Sequence, residues 1–343
     1  MTNVLPFRRR PQVLFICGNH NHTTMMHAIA RAFPECDAYF TPYYCDPDTA
    51  LDYLRRAGIL EFVALGHQFR QKCIAYLHAN GLAVDLGGAR GTYDLAVTCS
   101  DLIVPTNLAG TPLVGVQEGM IDPQLFWWGV MQAFPWLKLP RWAAGTACTG
   151  LSNAYERYCV ASDGYRDDFV TRGADPAKLV VTGLPNFDSF ASHVQPGHWI
   201  EGHVLAATSD GRETFRRDDR KAFIKWVMQI ARDRPVVFKL HPNEKVKRAV
   251  HEIHRWAPRA KVIASSAGGN SGETLAANCH TLVTEWSTLA YVGLALGKPT
   301  YSYRDLSRHG RMLPVQHARG AENIANVCRD VLAQRLGRQE AAA

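Results

Sequence analysis

"QVLFICGNHNHTTMMHAIARAF" (residues 12–33) is the stretch from which the fold is read. Val13–Cys17 form an unbroken apolar run of strand length. A polar turn opened by a glycine follows over Gly18–Thr24. A helix comes next, which Thr23 or Thr24 can cap. A strand, a short polar loop and a helix make one half of a βαβ unit.

The same alternation runs outward from this stretch. "ILEFVALG" (59–66) and "QKCIAYLHANG" (71–81) continue it. "YDLAVTCSD" (93–101) is a strand ending in Asp101, and "TPLVGVQEG" (111–119) is one ending in Glu118. "ERYCVASDGYRDDFVTRG" (156–173) is a strand and then a helix stopped by Gly173, and "KLVVTGLPNFD" (178–188) is a further strand with a Gly-Leu-Pro turn. The pattern weakens over 186–202 and then resumes. "HVLAATSD" (203–210), "PVVFKLHP" (235–242) and "KVIASS" (261–266) are strands. "RRDDRKAFIKWVMQIARD" (216–233) and "KVKRAVHEIHRWA" (245–257) are helices between them. "HTLVTEWSTLAYVGLALGKPTYSY" (280–303) is strand, loop, helix and strand, and "GAENIANVCRDVLAQRL" (320–336) is a closing helix. Apolar strands alternating with helices imply parallel sheets covered on both faces. The expected fold class is α/β, with two doubly wound Rossmann-like domains over 1–188 and 203–343 and a linker at 189–202. Such domains bind ligands at the carboxyl ends of their strands. Two of them predict a cleft between the two sets of ends.

Length agrees, since 343 residues exceed one ordinary core and suit two domains. No apolar run approaches the ~20 residues that span a bilayer. The basic start "MTNVLPFRRRP" lacks the apolar core and cleavage site of a secretory signal. Both observations predict a cytoplasmic protein. The nine cysteines are odd in number and include no C-x-x-C pair. They read as reduced, mostly buried small hydrophobes, without a zinc site or disulfide framework. The net charge is +7, with the basic residues spread along the chain and not gathered in a tract. That excess suits an anionic ligand or an anionic membrane surface. With no helix-turn-helix or RNP signature, nucleic acid is not an expected partner.

Chemically capable residues fall just after the apolar runs. Asn19, His20 and His22 follow the first strand, Asp101 and Glu118 the next two. Asp210 and Arg212 follow "VLAATS", His241 follows "VVFKL", and Glu285, Ser287 and Thr288 follow "HTLVT". Glu118 precedes a glycine that permits close approach of a ligand. A carboxylate there is a general base if partial burial raises its pKa, or a simple cap if not. Asp101 is placed to orient Glu118, to bind an acceptor, or to cap the residues that follow it. Pro242 restricts His241 to an extended backbone, where its imidazole can donate to a phosphate oxygen. Ser287 and Thr288 at a helix start offer hydroxyls and free N–H groups to an anion. Glu285 is placed to bond ribose hydroxyls. "GNHNHTT" matches neither dinucleotide-binding nor P-loop spacing, and an i, i+2 histidine pair alone is weak for metal. "LFWWGVMQAFPWLKLPRWA" (125–143) sets four tryptophans beside Lys138 and Arg141, a composition suited to a membrane interface or a lipid-linked acceptor, or to an irregular core segment.

These residues, in this order, resemble the GT-B superfamily over about residues 12–330. "CVASDGYRDDFVTRGADPAKLVVTGLPNFD" resembles the segment that closes the first domain there, and "VTEWSTLAYVGLALGKPTYSY" its donor-binding strand–helix unit. Gln117-Glu118-Gly119, His241-Pro242 and Ser287-Thr288 resemble three short signals of bacterial sialyl- and Kdo-transferases and CDP-glycerol glycerophosphotransferases. A related resemblance links Asp101, Glu118 and "KLHPNEKVK" to UDP-N-acetylglucosamine 2-epimerases. The chain departs from the epimerases where "MIDP" replaces an arginine and "EWST" replaces a Ser-Gly-Gly phosphate loop.

The resemblance implies a metal-independent glycosyltransferase without a cofactor, acting in surface-polysaccharide biosynthesis, with 1–188 as the acceptor domain and 203–343 as the donor domain. Glu118 would be the base and Asp101 its positioning partner. His241, Pro242, Glu285, Ser287, Thr288, Asp210, Arg212, Asn19 and His20 would line the nucleotide-sugar donor. The acceptor would be a glycan or a lipid-linked molecule, and the protein would work in the cytoplasm or at the inner membrane surface. The alternatives are a nucleotide-sugar 2-epimerase, with the two acids shuttling protons, and a non-catalytic nucleotide-sugar-binding protein.

Overall fold

The computed structural model describes residues 9–61, 63–119, 129–130, 133–134, 136, 141–142, 148–195, 197, 202–213, 218–264, 270–303 and 305–342. The chain divides into two compact units, one of Met1–Asp188 with His317–Ala343 and one of Ser189–Gln316.

The first unit holds a six-stranded sheet in the order β2-β1-β3-β4-β5-β6, parallel throughout. Its strands are β1 (Gln12–Cys17), β2 (Asp37–Pro42), β3 (Leu95–Thr98), β4 (Leu113–Val116), β5 (Arg157–Val160) and β6 (Leu179–Val181). Helices α1 (His20–Arg31), α2 (Ala50–Arg56), α3 (His67–Ala79) and α4 (Asp163–Thr171) go with it. Val13–Cys17 of β1 and all of β3 and β4 are buried, because helices cover both faces of a parallel sheet. The stretch that opened the chain folds as read, with one shift. Helix α1 starts at His20, and its cap is Asn19, whose Oδ1 accepts from His22 N at 2.9 Å. Asn19 is the better cap by residue type, and it frees the whole "HNHTT" run for the helix. The segment 59–66 is not a strand in its described residues, which form turns leading to the Gly66 cap of α3. The missing strand is β2, whose mixed "DAYFTP" carries no clean apolar run.

The second unit holds a five-stranded parallel sheet in the order β11-β10-β7-β8-β9. The strands are β7 (Val204–Ala207), β8 (Val236–Lys239), β9 (Lys261–Ile263), β10 (Thr281–Thr284) and β11 (Thr300–Ser302). Helices α5 (Arg220–Ala231), α6 (Val246–Trp256), α7 (Gly272–Asn278) and α8 (Leu289–Ala295) pack around it. Phe223, Ile224 and Val227 of α5 join Ala249 and Ile253 of α6 and Val236 and Phe238 of β8 in one core.

Two domain expectations change. The closing helix, α9 (Gly320–Ala342), belongs to the first unit and not to the second. Ile324, Ala325 and Cys328 are buried there, and Arg329 bonds Ala32 O at 2.9 Å, pairs with Glu35 and lies over the Phe33 ring at 5.0 Å. Its start is held by Asp188, whose backbone oxygen accepts from Ala318 N at 2.9 Å and whose carboxylate accepts from Gly320 N. A Cβ on Gly320 would meet Asp188 Oδ2 at 2.6 Å, so only glycine lets the chain come this close. The expected linker 189–202 is also packed in its first half. Phe190 is buried, and Asn278 of α7 holds His193 O and Gln195 N at 2.9 and 2.7 Å.

Most of the tryptophan-rich stretch 125–143, with Trp127, Trp128 and Lys138, lies outside the described residues; Trp136 within it is 70% exposed. No helix among the described residues is long and apolar enough to cross a membrane. Eight of the nine cysteines are buried.

Candidate active site

In the first unit the chemistry gathers where β1 and β4 end. Glu118 follows β4. Its Oε1 lies 2.7 Å from His22 Nε2 and accepts from Asn19 Nδ2 at 3.2 Å. No described residue bonds its Oε2, and 35% of the side chain is exposed. Asn21 Nδ2 donates to the Glu118 backbone oxygen at 3.4 Å, and Asn186 bridges Asn21 O and Thr24 Oγ1, each at 3.0 Å. Gln117 fixes the strand end from the other side, accepting from Ala161 N at 2.9 Å and donating to Gly119 O at 2.6 Å. The arrangement depends on Gly18, because the buried His22 ring lies on its Cα and a Cβ there would stand 2.1 Å from His22 Nδ1.

The electrostatics differ from the sequence expectation. Burial pushes the Glu118 carboxyl up, as expected, but the His22 charge and the bonds from His22 and Asn19 outweigh it. The carboxyl titrates below its ordinary value. Glu118 is therefore ionised at neutral pH, with one oxygen held and one that no described residue bonds.

Asp101 is the second correction. It is buried, and its two oxygens accept from Gly150 N at 2.6 Å and Ser152 N at 2.9 Å. It ties down the 150–152 loop and makes no bond to Glu118. His20 is also apart, its ring edge-on to Tyr76 with centroids 5.6 Å apart.

In the second unit the ends of β7, β8 and β10 meet around one buried arginine. Arg220, the first residue of α5, donates through Nη2 to Ser209 O at 2.9 Å and lies 3.0 Å from Asp218 and 2.9 Å from Glu244. Glu285 Oε2 is 3.9 Å from the same nitrogen and accepts from Ser209 N and Oγ at 3.1 and 2.6 Å. Glu244 accepts from His241 N at 2.8 Å and from the Thr208 hydroxyl. Burial pushes the carboxyls of both Glu244 and Glu285 up, with Arg220 pulling the other way. Glu285 is thus a buried anchor of the Ser209 turn, not an exposed ligand for ribose.

His241 sits in a turn closed by Glu244 N donating to His241 O at 3.0 Å, with Pro242 at its second position. Asn243 N donates to His241 Nδ1 at 3.3 Å. A backbone N–H can only donate, so Nδ1 accepts and the neutral ring carries its proton on Nε2. Burial lowers the imidazole pKa, and Lys239 adds to it against the pull of Asp210 and Glu213. The ring is neutral at pH 7, 37% exposed, and its Nε2–H is bonded by no described residue.

The other expected donor ligands divide. Asp210 accepts from Asn243 Nδ2 at 2.9 Å and lies 3.5 Å from His241, so it belongs to this group. Arg212 does not, being held in a two-pronged pair with Glu252 of α6 at 2.7 and 2.6 Å. Ser287 Oγ accepts from Leu289 N at 3.2 Å, while Thr288 is the N-cap residue of α8 and makes no side-chain cap bond. No group of three or more metal-ligating side chains occurs among the described residues.

The fold is similar to that of solved UDP-N-acetylglucosamine 2-epimerases. A Neisseria meningitidis UDP-N-acetylglucosamine 2-epimerase bound to UDP-N-acetylglucosamine matches with a TM-score of 0.53 at 12% identity, over 94% of this chain and 100% of that one. The S. aureus MnaA–UDP structure matches with a TM-score of 0.53 at 12% identity, over 92% and 87% of the two chains. A Listeria monocytogenes protein assigned as a UDP-N-acetylglucosamine 2-epimerase matches with a TM-score of 0.55 at 14% identity, over 95% and 89%. No family model and no curated protein sequence matches the chain. At these identities the likeness shows the GT-B fold and nothing finer.

His22, Arg220 and Glu244 are the residues that sequence reasoning left out of the site. A helix read from Asn19 would have placed His22 one turn in, beside the strand end. Arg220 has no such signal, since "RRDDRK" offers four cations in six residues and nothing in the run marks Arg220 as the buried one.

Proposed function

We propose that the protein is a glycosyltransferase, moving a sugar or polyol-phosphate unit from an activated nucleotide donor to a glycan or lipid-linked acceptor in surface-polysaccharide biosynthesis. One observation favours this over 2-epimerisation. An epimerase reaction needs two acid–base groups, one for each face of the sugar carbon. Of the two strand-end carboxylates, Glu118 has an oxygen that no described residue bonds, while Asp101 is buried with both oxygens bonded to backbone amides. One available base suits a single deprotonation.

In this reading Glu118 takes the proton of the acceptor hydroxyl as that oxygen attacks the donor. The bond to the nucleotide phosphate breaks, and the phosphate leaves with the electron pair. His22 and Asn19 hold the carboxylate ionised and aimed. His241 donates its Nε2–H to the phosphate oxygen that gains charge, and the Ser287–Thr288 turn provides further donors. The signals shared with sialyl- and Kdo-transferases and CDP-glycerol glycerophosphotransferases support the same roles.

The protein incubated with UDP-N-acetylglucosamine and no acceptor should give neither epimer nor free UDP. Epimer formed under those conditions defeats the transferase reading. A thermal-shift panel of CMP, CDP, UDP and GDP compounds identifies the donor nucleotide, because a ligand that binds only the folded state raises its stability. Glu118→Gln should keep that shift and lose transfer; retained transfer removes Glu118 from the base role.

A further inference from the structure

The positive charge of the chain is concentrated, contrary to the sequence reading. Residues 219–261 carry twelve Lys and Arg against four Asp and Glu, a net +8, where the whole chain has +7. Two of the twelve, Arg220 and Lys239, are buried. Among the four acids, Asp219 caps α5, Glu244 is buried against Arg220 and Glu252 is held by Arg212. Asp219 and Asp233 are the exposed acids.

The exposed cations gather on α5 and α6. Lys221 and Lys225, one turn apart on α5, set their ammonium groups 4.6 and 5.2 Å from the centre of the Trp256 ring, and the Arg255 guanidinium is 5.6 Å from it. Trp256 itself is 37% exposed. Arg255 also borders an open groove along the outer face of α6, lined with it by Val246, Lys247, Val250, His251 and His254. Val246 is 47% exposed there. Cations and apolar side chains thus share one continuous face.

An indole ringed by cations, with valines alongside, fits the boundary between phosphate head groups and acyl chains. Nucleic acid fits less well. Cations crowd the ring that a base would stack on, and aliphatic side chains gain nothing from a phosphodiester backbone. We infer that the α5–α6 face of the second unit docks on an anionic lipid surface. Lys221, Lys225, Lys247 and Arg255 meet lipid phosphates, and Trp256, Val246 and Val250 sit at head-group depth. The inference does not depend on the reaction catalysed.

The test is co-sedimentation of the full chain with vesicles of phosphatidylcholine alone or mixed with phosphatidylglycerol. Binding is expected to the mixed vesicles only, and to fall with added salt. Each surface cation contributes about fivefold to such binding, so Lys221→Gln, Lys225→Gln and Arg255→Gln together should weaken it about a hundredfold. Trp256→Ala should weaken it with the salt dependence unchanged. The melting temperatures of these surface variants should stay at that of the parent chain, which separates lost docking from lost folding. Equal binding to both vesicle types, undiminished binding by the triple variant, or displacement of the protein from mixed vesicles by duplex DNA would each overturn the assignment.

Discussion

Replacing Arg220 by methionine tests the central claim about the second unit. Methionine keeps an unbranched apolar stem and removes the charge and the guanidinium fork. In the parent chain one guanidinium nitrogen lies 2.9–3.0 Å from Ser209 O, Asp218 and Glu244, and 3.9 Å from Glu285. All three carboxylates are almost fully buried. Removing one partner of a buried ionic group leaves uncompensated charge and costs about 3–5 kcal/mol. For a unit the size of Ser189–Gln316 that is a fall in melting temperature of about 10–20 °C. The loss should depend on pH. Glu244 and Glu285 titrate above the ordinary carboxylate value when folded, because burial outweighs Arg220. A carboxyl raised in this way binds its proton more tightly folded than unfolded, so its contribution is favourable at low pH. That contribution is lost as pH rises from the unfolded value through the raised one. Without Arg220 both carboxyls move higher still. The variant should therefore lose most stability at neutral pH and less near pH ~5. Calorimetry at both pH values reads the stability, and hydrogen exchange over β7, β8 and β10 localises it. Arg220→Lys, with the charge but not the fork, should fall between the two. A methionine variant that melts within ~3 °C of the parent, or that loses more at the lower pH, would refute Arg220 as the counter-charge of this cluster.

Three further outcomes are expected. Gly18→Ala puts a Cβ 2.1 Å from His22 Nδ1 and displaces the ring from Glu118, so the Glu118 carboxyl should rise; an unchanged titration of labelled glutamate by NMR would show that His22 does not hold it down. Tyr158→Phe should leave stability unchanged or raise it by up to about 1 kcal/mol, because no described residue bonds the buried hydroxyl, and urea denaturation decides the sign. Arg329→Met should destabilise the first unit by about 1–3 kcal/mol and open α9 to proteolysis near Glu322; protection equal to that of the parent chain would mean the buried apolar face of α9 suffices to hold it.

The sheets were legible in the sequence because parallel strands are buried on both faces and read as apolar runs. Among the described residues ten of the eleven strands are read from the sequence; β2 is missed because its "DAYFTP" carries no clean apolar run. Strand ends were legible too, since polar residues follow the runs directly. Glu118 and His241 stand at such ends, each with an atom that no described residue bonds. Asp101 and Glu285 stand at equivalent ends and are closed. Nothing local distinguishes the two cases, because the groups that close Asp101 lie 49 and 51 residues further on, and Ser209 lies 76 residues before Glu285. Arg212 was lost for the same reason, to a glutamate 40 residues along the chain.

The sequence by itself determined the alternation of strand and helix, the two parallel sheets and the positions where chemistry could occur. These follow from side-chain period and apolar runs, which act over a few residues. Tertiary structure alone decided which carboxylates are free, which arginine is the counter-charge and where the closing helix belongs. Those depend on which distant groups share a desolvated space, and a buried charge is set by its partners, not by its neighbours in sequence.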